Sequence, residues 1–222
     1  DLALGKIKAP KNTVIVCIPV YNIGGALNRN SSTRANQNGP EEYGFRGNAR
    51  NYDLNRDFIK SDTKNTKSFV EIFHITNPDV FIDNHVSNGS DYQYKLTYIM
   101  TEPTKLGSVL GSYLRKEMMP SLVSDLQKKK FETTPYVNTF HETPDQGFAQ
   151  FFDSPRYTTG YTSLFNSIGF VVETHMLKKY ADRVKVTYEF MKSTLEFTDA
   201  NYSKIKQVRK ENESQFQLNK TY

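Results

Sequence analysis

The sequence predicts an α/β fold, with a mostly parallel or mixed central sheet flanked by helices. Three observations carry that expectation. Four short, β-rich runs are almost continuously apolar: TVIVCIPVY at 13–21, DVFID at 79–83, the end of YKLTYIM at 94–100, and GFVVE at 169–173. Such runs suit strands covered on both faces rather than on one. Segments of helical apolar spacing alternate with them, the order expected of a layered α/β domain. The chain of 222 residues is 37% hydrophobic and 13% aromatic, enough apolar material for a core of ordinary size.

Taken in order, residues 1–8 read as the tail of a helix entering a loop closed by Pro10. Residues 13–21 read as the first buried strand. Cys17, the one cysteine, lies within it as a buried thiol. Residues 22–51 lack hydrophobic periodicity and are rich in Asn, Gly, Ser and Arg. An irregular segment this long is usually functional or disordered. Residues 67–76 have helical spacing and stop at Pro78. The second strand follows at 79–83 and the third at 94–100. Residues 105–130 read as a helix with Leu106, Val109, Leu110, Tyr113 and Leu114 on one face, divided or kinked at Pro120. Residues 136–152 mix turns and aromatics. A short helix starts within 163–166, and 169–173 is the fourth strand. Residues 178–210 are helical, with Val184, Tyr188, Met191, Leu195 and Phe197 apolar. These features form one domain over 1–210, followed by a polar, frayed tail at 211–222.

The net charge is +5, from 29 Lys and Arg against 24 Asp and Glu. Apart from Lys128, Lys129 and Lys130 the excess is dispersed, with no long basic stripe interleaved with aromatics. The composition therefore argues against a nucleic-acid partner. No run of about twenty apolar residues exists to span a membrane. One cysteine cannot form an internal disulfide and does not identify a compartment. The chain begins at Asp1 without a Met, which leads us to expect a cut start.

Ligand sites in such sheets lie beyond the carboxyl ends of strands. Three of these ends carry chemistry. Tyr21 leads into the long polar loop, Asp83 is followed by Asn84 and His85, and Val172 is followed by Glu173. His85 is either a structural imidazole or a metal ligand. Glu173 is either a general base, its pKa raised by burial, or a partner of Lys178 or Lys179. NARNYDLNRDF, at 48–58, is either a solvated turn or a carboxylate clamp. Arg56 has the planar fork and Asn55 a neutral donor, but both address one ligand only if the backbone turns there.

The succession VIVCIPVYNIGGALNRNSSTRANQNG, NARNYDLNRDF, DVFIDNHVSNG and GFVVETHMLK resembles the zinc carboxypeptidase family, the carboxypeptidase A-like metallopeptidases, over residues 11–179. The resemblance implies a zinc-carboxypeptidase-like α/β/α fold and assigns roles. His85 is a zinc ligand. Glu173 deprotonates a zinc-bound water and then protonates the leaving amine. Asn55 and Arg56 hold the substrate's terminal carboxylate. Arg34 polarises the scissile carbonyl, with Arg29 a weaker candidate. Tyr157, or Tyr161, closes over the substrate. The implied partner is a peptide or acyl-amino acid with a free carboxylate, and the analogy points to a secreted or periplasmic setting.

The chain departs from the family in lacking any His-x-x-Glu motif, the source of the family's first two zinc ligands. That motif belongs before Asp1, so the expectation is an N-terminally truncated domain, inactive as it stands, with zinc absent or weakly bound. Glu71 with His74, His141 and His175 are weaker substitutes for the missing ligands. The uncovered sheet edge of such a fragment invites self-association. Two other functions remain open: an N-acyl-amino-acid deacylase of the aspartoacylase-like type, and a non-catalytic module that keeps only the carboxylate clamp.

Overall fold

The computed structural model describes residues 1–34, 37–87, 89–139 and 143–218, with side chains as far as residue 216. A four-stranded sheet runs through it in the order β1 (Val80–Val86), β6 (Ile168–Thr174), β2 (Leu96–Met100) and β3 (Thr133–Pro135). β1 is parallel to β6 and β2 to β3, whereas β2 and β6 are antiparallel. Two further short strands, β4 (Val137–Thr139) and β5 (Phe148–Gln150), pair as a separate antiparallel ribbon.

Alternation along β1 divides the core. Val80 and Ile82 pack into the larger cluster, which is built on Leu96, Leu110, Leu114, Leu122, Ile168, Phe170 and Phe190. Phe81, between them, faces the opposite way into a second cluster of Phe58, Phe69, Phe73 and Tyr161. Side chains alternate across a strand, so this split is what helices on both faces of one sheet require. The larger cluster is closed by α3 (Gly107–Tyr113), α4 (Met119–Lys128), α6 (Tyr180–Ala200) and α7 (Tyr202–Leu218). The second is covered by α2 (Lys64–Thr76) and α5 (Thr158–Ser163).

Local chemistry sets the boundaries of α2. The Thr63 side chain caps its start by accepting from Thr66 N, and Asn77 takes a left-handed φ of 41° at its end, ahead of Pro78. The break expected at Pro120 is a π turn at Leu114–Met118, directly before α4. Proline cannot donate to the helix ladder, and the widened turn accommodates the lost bond.

Several expectations need correction. Residues 13–21 form no strand in the described structure. They run extended without a ladder, Val14 is 89% and Val16 57% exposed, and Cys17 is exposed. An apolar run becomes a buried strand only when a hydrogen-bonded neighbour and two covering layers are present. Here residues 13–19 face β1 across a groove of about 890 Å³, lined also by Phe69, Phe73 and Phe81. Residues 1–6 form turns rather than a helix. The short helix near 163 begins earlier, at Thr158. β1 continues past Asp83, so His85 stands within the strand rather than beyond it. The long C-terminal helix breaks at Asn201 and resumes to Leu218, so most of the expected polar tail is helical. Asn212 anchors that last helix. It is fully buried and donates to Leu106 O at 2.5 Å and to Asn166 Oδ1 at 2.8 Å.

Candidate functional site

The parallel pairing of β1 with β6 sets His85 opposite Glu173 near the carboxyl ends of both strands. Asp83 lies two residues before His85 and so shares its face of the sheet. His85 Nε2 is 2.8 Å from Asp83 Oδ2, and the Thr158 hydroxyl donates to that same oxygen. On the other side of the ring, Nδ1 is 3.8 Å from Glu173 Oε1. Burial works against a charged His85. The charge and hydrogen bond of Asp83, with the charge of Glu173, outweigh it and push the pKa up to about 9.

Glu173 is the base the geometry offers. Burial raises its carboxyl above the ordinary range and the Asp83 charge adds to the rise, whereas His85, Arg34 and Arg46 oppose it. Its Oε2 is buried without a hydrogen-bond partner. The lysine pairing open in the sequence does not form at Lys178, which pairs with Asp91 at 3.3 Å. A buried carboxylate with one free oxygen is equipped to take up and return a proton.

Two arginines reach this centre electrostatically. Arg34 Nη1 donates to Ser87 O at 3.2 Å, just beyond β1, and its charge acts on Glu173. Arg46, not anticipated from the sequence, acts on Glu173, His85 and Arg34. It is held by Asp53, with Nε 3.0 Å and Nη2 2.9 Å from Oδ2. Its only signal in the sequence was the local density of Arg and Asn, which several other residues share. Arg29 is directed elsewhere, donating to Glu42 O at 2.8 Å on the exposed surface.

The backbone does turn at Asn55 and Arg56, which lie in a single 3₁₀ turn, Leu54–Arg56. Asp53 Oδ1 caps it by accepting from Asn55 N at 3.0 Å. Buried Leu54 and Phe58 anchor its two sides. Arg56 lies over the Tyr157 ring, 4.5 Å from its centroid, and Phe151 packs edge-on against that ring at 5.0 Å. Tyr157 therefore meets the clamp, and its neighbour Thr158 meets Asp83. The start of α5 thus bridges the two groups of residues.

Tyr161 does not take a substrate-facing position. It is 3% exposed, packed among Phe58, Phe69, Phe73 and Phe165, because its place in α5 faces the aromatic core.

Among the described residues no cluster of three or more His, Cys, Asp or Glu side chains could hold a metal ion. A catalytic zinc takes three protein ligands, so His85 and its neighbours do not by themselves fit one. The substitutes do not repair this. His74 Nε2 lies 3.3 Å from the Tyr161 hydroxyl, and its ring packs on Phe165 at 4.6 Å. His175 is fully buried, with Nδ1 3.0 Å from Ser87 Oγ and its ring stacked on Tyr92 at 4.3 Å. His141 lies outside the described residues.

No family model and no curated protein matches the sequence. Solved structures do match in fold. A provisionally named carboxypeptidase A from Shewanella denitrificans superposes with a TM-score of 0.52 at 16% identity, over 72% of this chain and 42% of its own. A metallo-carboxypeptidase from Pseudomonas aeruginosa, solved with (2-guanidinoethylmercapto)succinic acid, gives 0.49 at 13% identity, over 73% and 42%. The fold is thus a mixed α/β sheet flanked by helices, similar to a carboxypeptidase structure. The chain spans less than half the length of each of these proteins.

Proposed function

We propose that this chain belongs to a carboxypeptidase-like metallohydrolase, one that cleaves a C-terminal residue or a related amide from a substrate with a free carboxylate. The observation that carries the reading is the His85–Glu173 pair, set in register at the carboxyl ends of β1 and β6, with one Glu173 oxygen buried and unpartnered. Glu173 takes the proton of the attacking water and returns it to the leaving amine. Arg34 and Arg46 supply positive charge for the developing oxyanion. Asn55 and Arg56 receive the substrate carboxylate, and Tyr157 covers it by leaving the face of Arg56. His85 supplies one donor to a zinc ion, and the reading requires further ligands from outside the described residues. No catalytic step is assigned to the metal with this donor set.

The absence of a metal-binding cluster among the described residues supports a second reading, a carboxylate-binding module without catalysis. The test is zinc content after purification without chelator, with hydrolysis assays on peptides and acyl-amino acids, for this chain and for a form extended at its amino end. Zinc near one per chain and peptide turnover in the extended form support the hydrolase. Carboxylate binding without zinc or turnover in either form selects the module. Turnover of acyl-amino acids alone selects a deacylase.

A further inference from the structure

The Asp83 carboxylate lies between two donors that the hydrolase reading does not use. One is His85 Nε2 at 2.8 Å and the other is the Thr158 hydroxyl, both directed to the same oxygen, Oδ2. Thr158 is fully buried at the start of α5. That helix cannot drift from the sheet, because a Cβ at Gly160 would collide with the Ser154 carbonyl and one at Gly169 of β6 with the Thr162 hydroxyl. An acceptor held in this way makes a demand on the imidazole: the nitrogen that faces it carries the hydrogen. The other nitrogen, Nδ1, is directed toward Glu173 Oε1 at 3.8 Å.

We propose that Asp83 and Thr158 are a positioning pair that fixes the neutral tautomer of His85, holding the proton on Nε2 and presenting the Nδ1 lone pair on the Glu173 side. Without Thr158, Asp83 Oδ2 loses its second donor and the carboxylate is free to rotate about χ2. The ring then loses its fixed acceptor. The inference deepens the reading above by naming the ring atom that works and the residues that aim it. It rests on that reading for its functional meaning, though not for its geometry.

The tautomer can be read directly in this chain, without metal or substrate, from the ¹⁵N shifts and couplings of the histidine rings. The solution is held about one unit above the His85 pKa of about 9, where the ring is neutral. A His85→Gln variant assigns the signal. Wild-type protein is expected in the Nε2–H form. Thr158→Val and Asp83→Asn should each move the tautomer ratio by about tenfold, the scale of one hydrogen bond to a charged group. Thr158→Ser, which restores the hydroxyl, should return it. Backbone amide spectra report whether each variant is folded, and if Asp83→Asn is not, the Thr158 pair alone decides. An Nδ1–H form in the wild-type protein would overturn the proposal, as would a ratio that Thr158→Val leaves unmoved. The zinc measurement fails or succeeds separately: a zinc-free, inactive extended form with the Nε2–H tautomer intact removes the hydrolase reading and leaves the positioning pair standing.

Discussion

His85 and Glu173 face each other across adjacent parallel strands, with Nδ1 3.8 Å from Oε1. Eighty-eight positions of sequence lie between them, and only the pairing of β1 with β6 brings them together. Glu173 gains its burial from the sheet and its charged neighbours from two loops. Replacing it with Gln in a hydrolytically active form should therefore cost at least about a hundredfold in kcat, the scale of general acid–base catalysis, and leave KM little changed. Steady-state kinetics on a C-terminal peptide substrate checks this. Wild-type turnover in the variant would remove the base role.

Arg56 is poised for a carboxylate because the 3₁₀ turn places it over Tyr157, with the ring 4.5 Å away. Arg56→Lys keeps the charge and loses the planar fork. Carboxylate affinity should weaken roughly ten- to a hundredfold, the worth of a charge-assisted hydrogen bond. Calorimetric titration with a small carboxylate-bearing substrate analogue measures it.

His175 is buried, and burial with the Lys178 charge holds its pKa down to about 4, against an ordinary 6.5. The unfolded chain binds the proton first, so this contribution to stability is intact above pH 6.5. It erodes as the pH falls toward about 4, by nearly tenfold in the folding equilibrium per pH unit. Denaturant melts of wild-type protein and His175→Gln across this interval should differ in slope, with the variant the flatter of the two.

Phe73 lies at the centre of the second cluster, against Phe69, Phe81, Tyr161 and Phe165. Phe73→Ala leaves a cavity there and should cost about 3–5 kcal/mol of stability by denaturant unfolding.

The exposed strip from Val14 to Val20 faces β1 across an apolar groove, and neither the strip nor the outer edge of β1 has a strand partner among the described residues. Unpaired edges of this kind associate. The sedimenting mass of the chain should rise with concentration, and Val14→Lys with Val16→Lys should suppress the rise. A concentration-independent monomer would count against it.

Composition and periodicity determined the α/β class, the strands at 80–86, 96–100 and 168–174, and the helices that alternate with them. Those features depend on local chemistry: apolar runs, caps and breakers act over a few residues and are written where they act. The residues His85, Glu173, Asn55 and Arg56 were legible as polar groups at strand ends or in a dense polar loop. The tertiary structure decided the rest. Arg46 acquired meaning only when its loop folded toward Glu173, and Tyr161 lost its assigned role when α5 turned it into the core. Residues 13–21 have every local mark of a buried strand, yet they lie exposed, because burial needs a neighbouring strand and a covering layer that no property of the nine residues supplies.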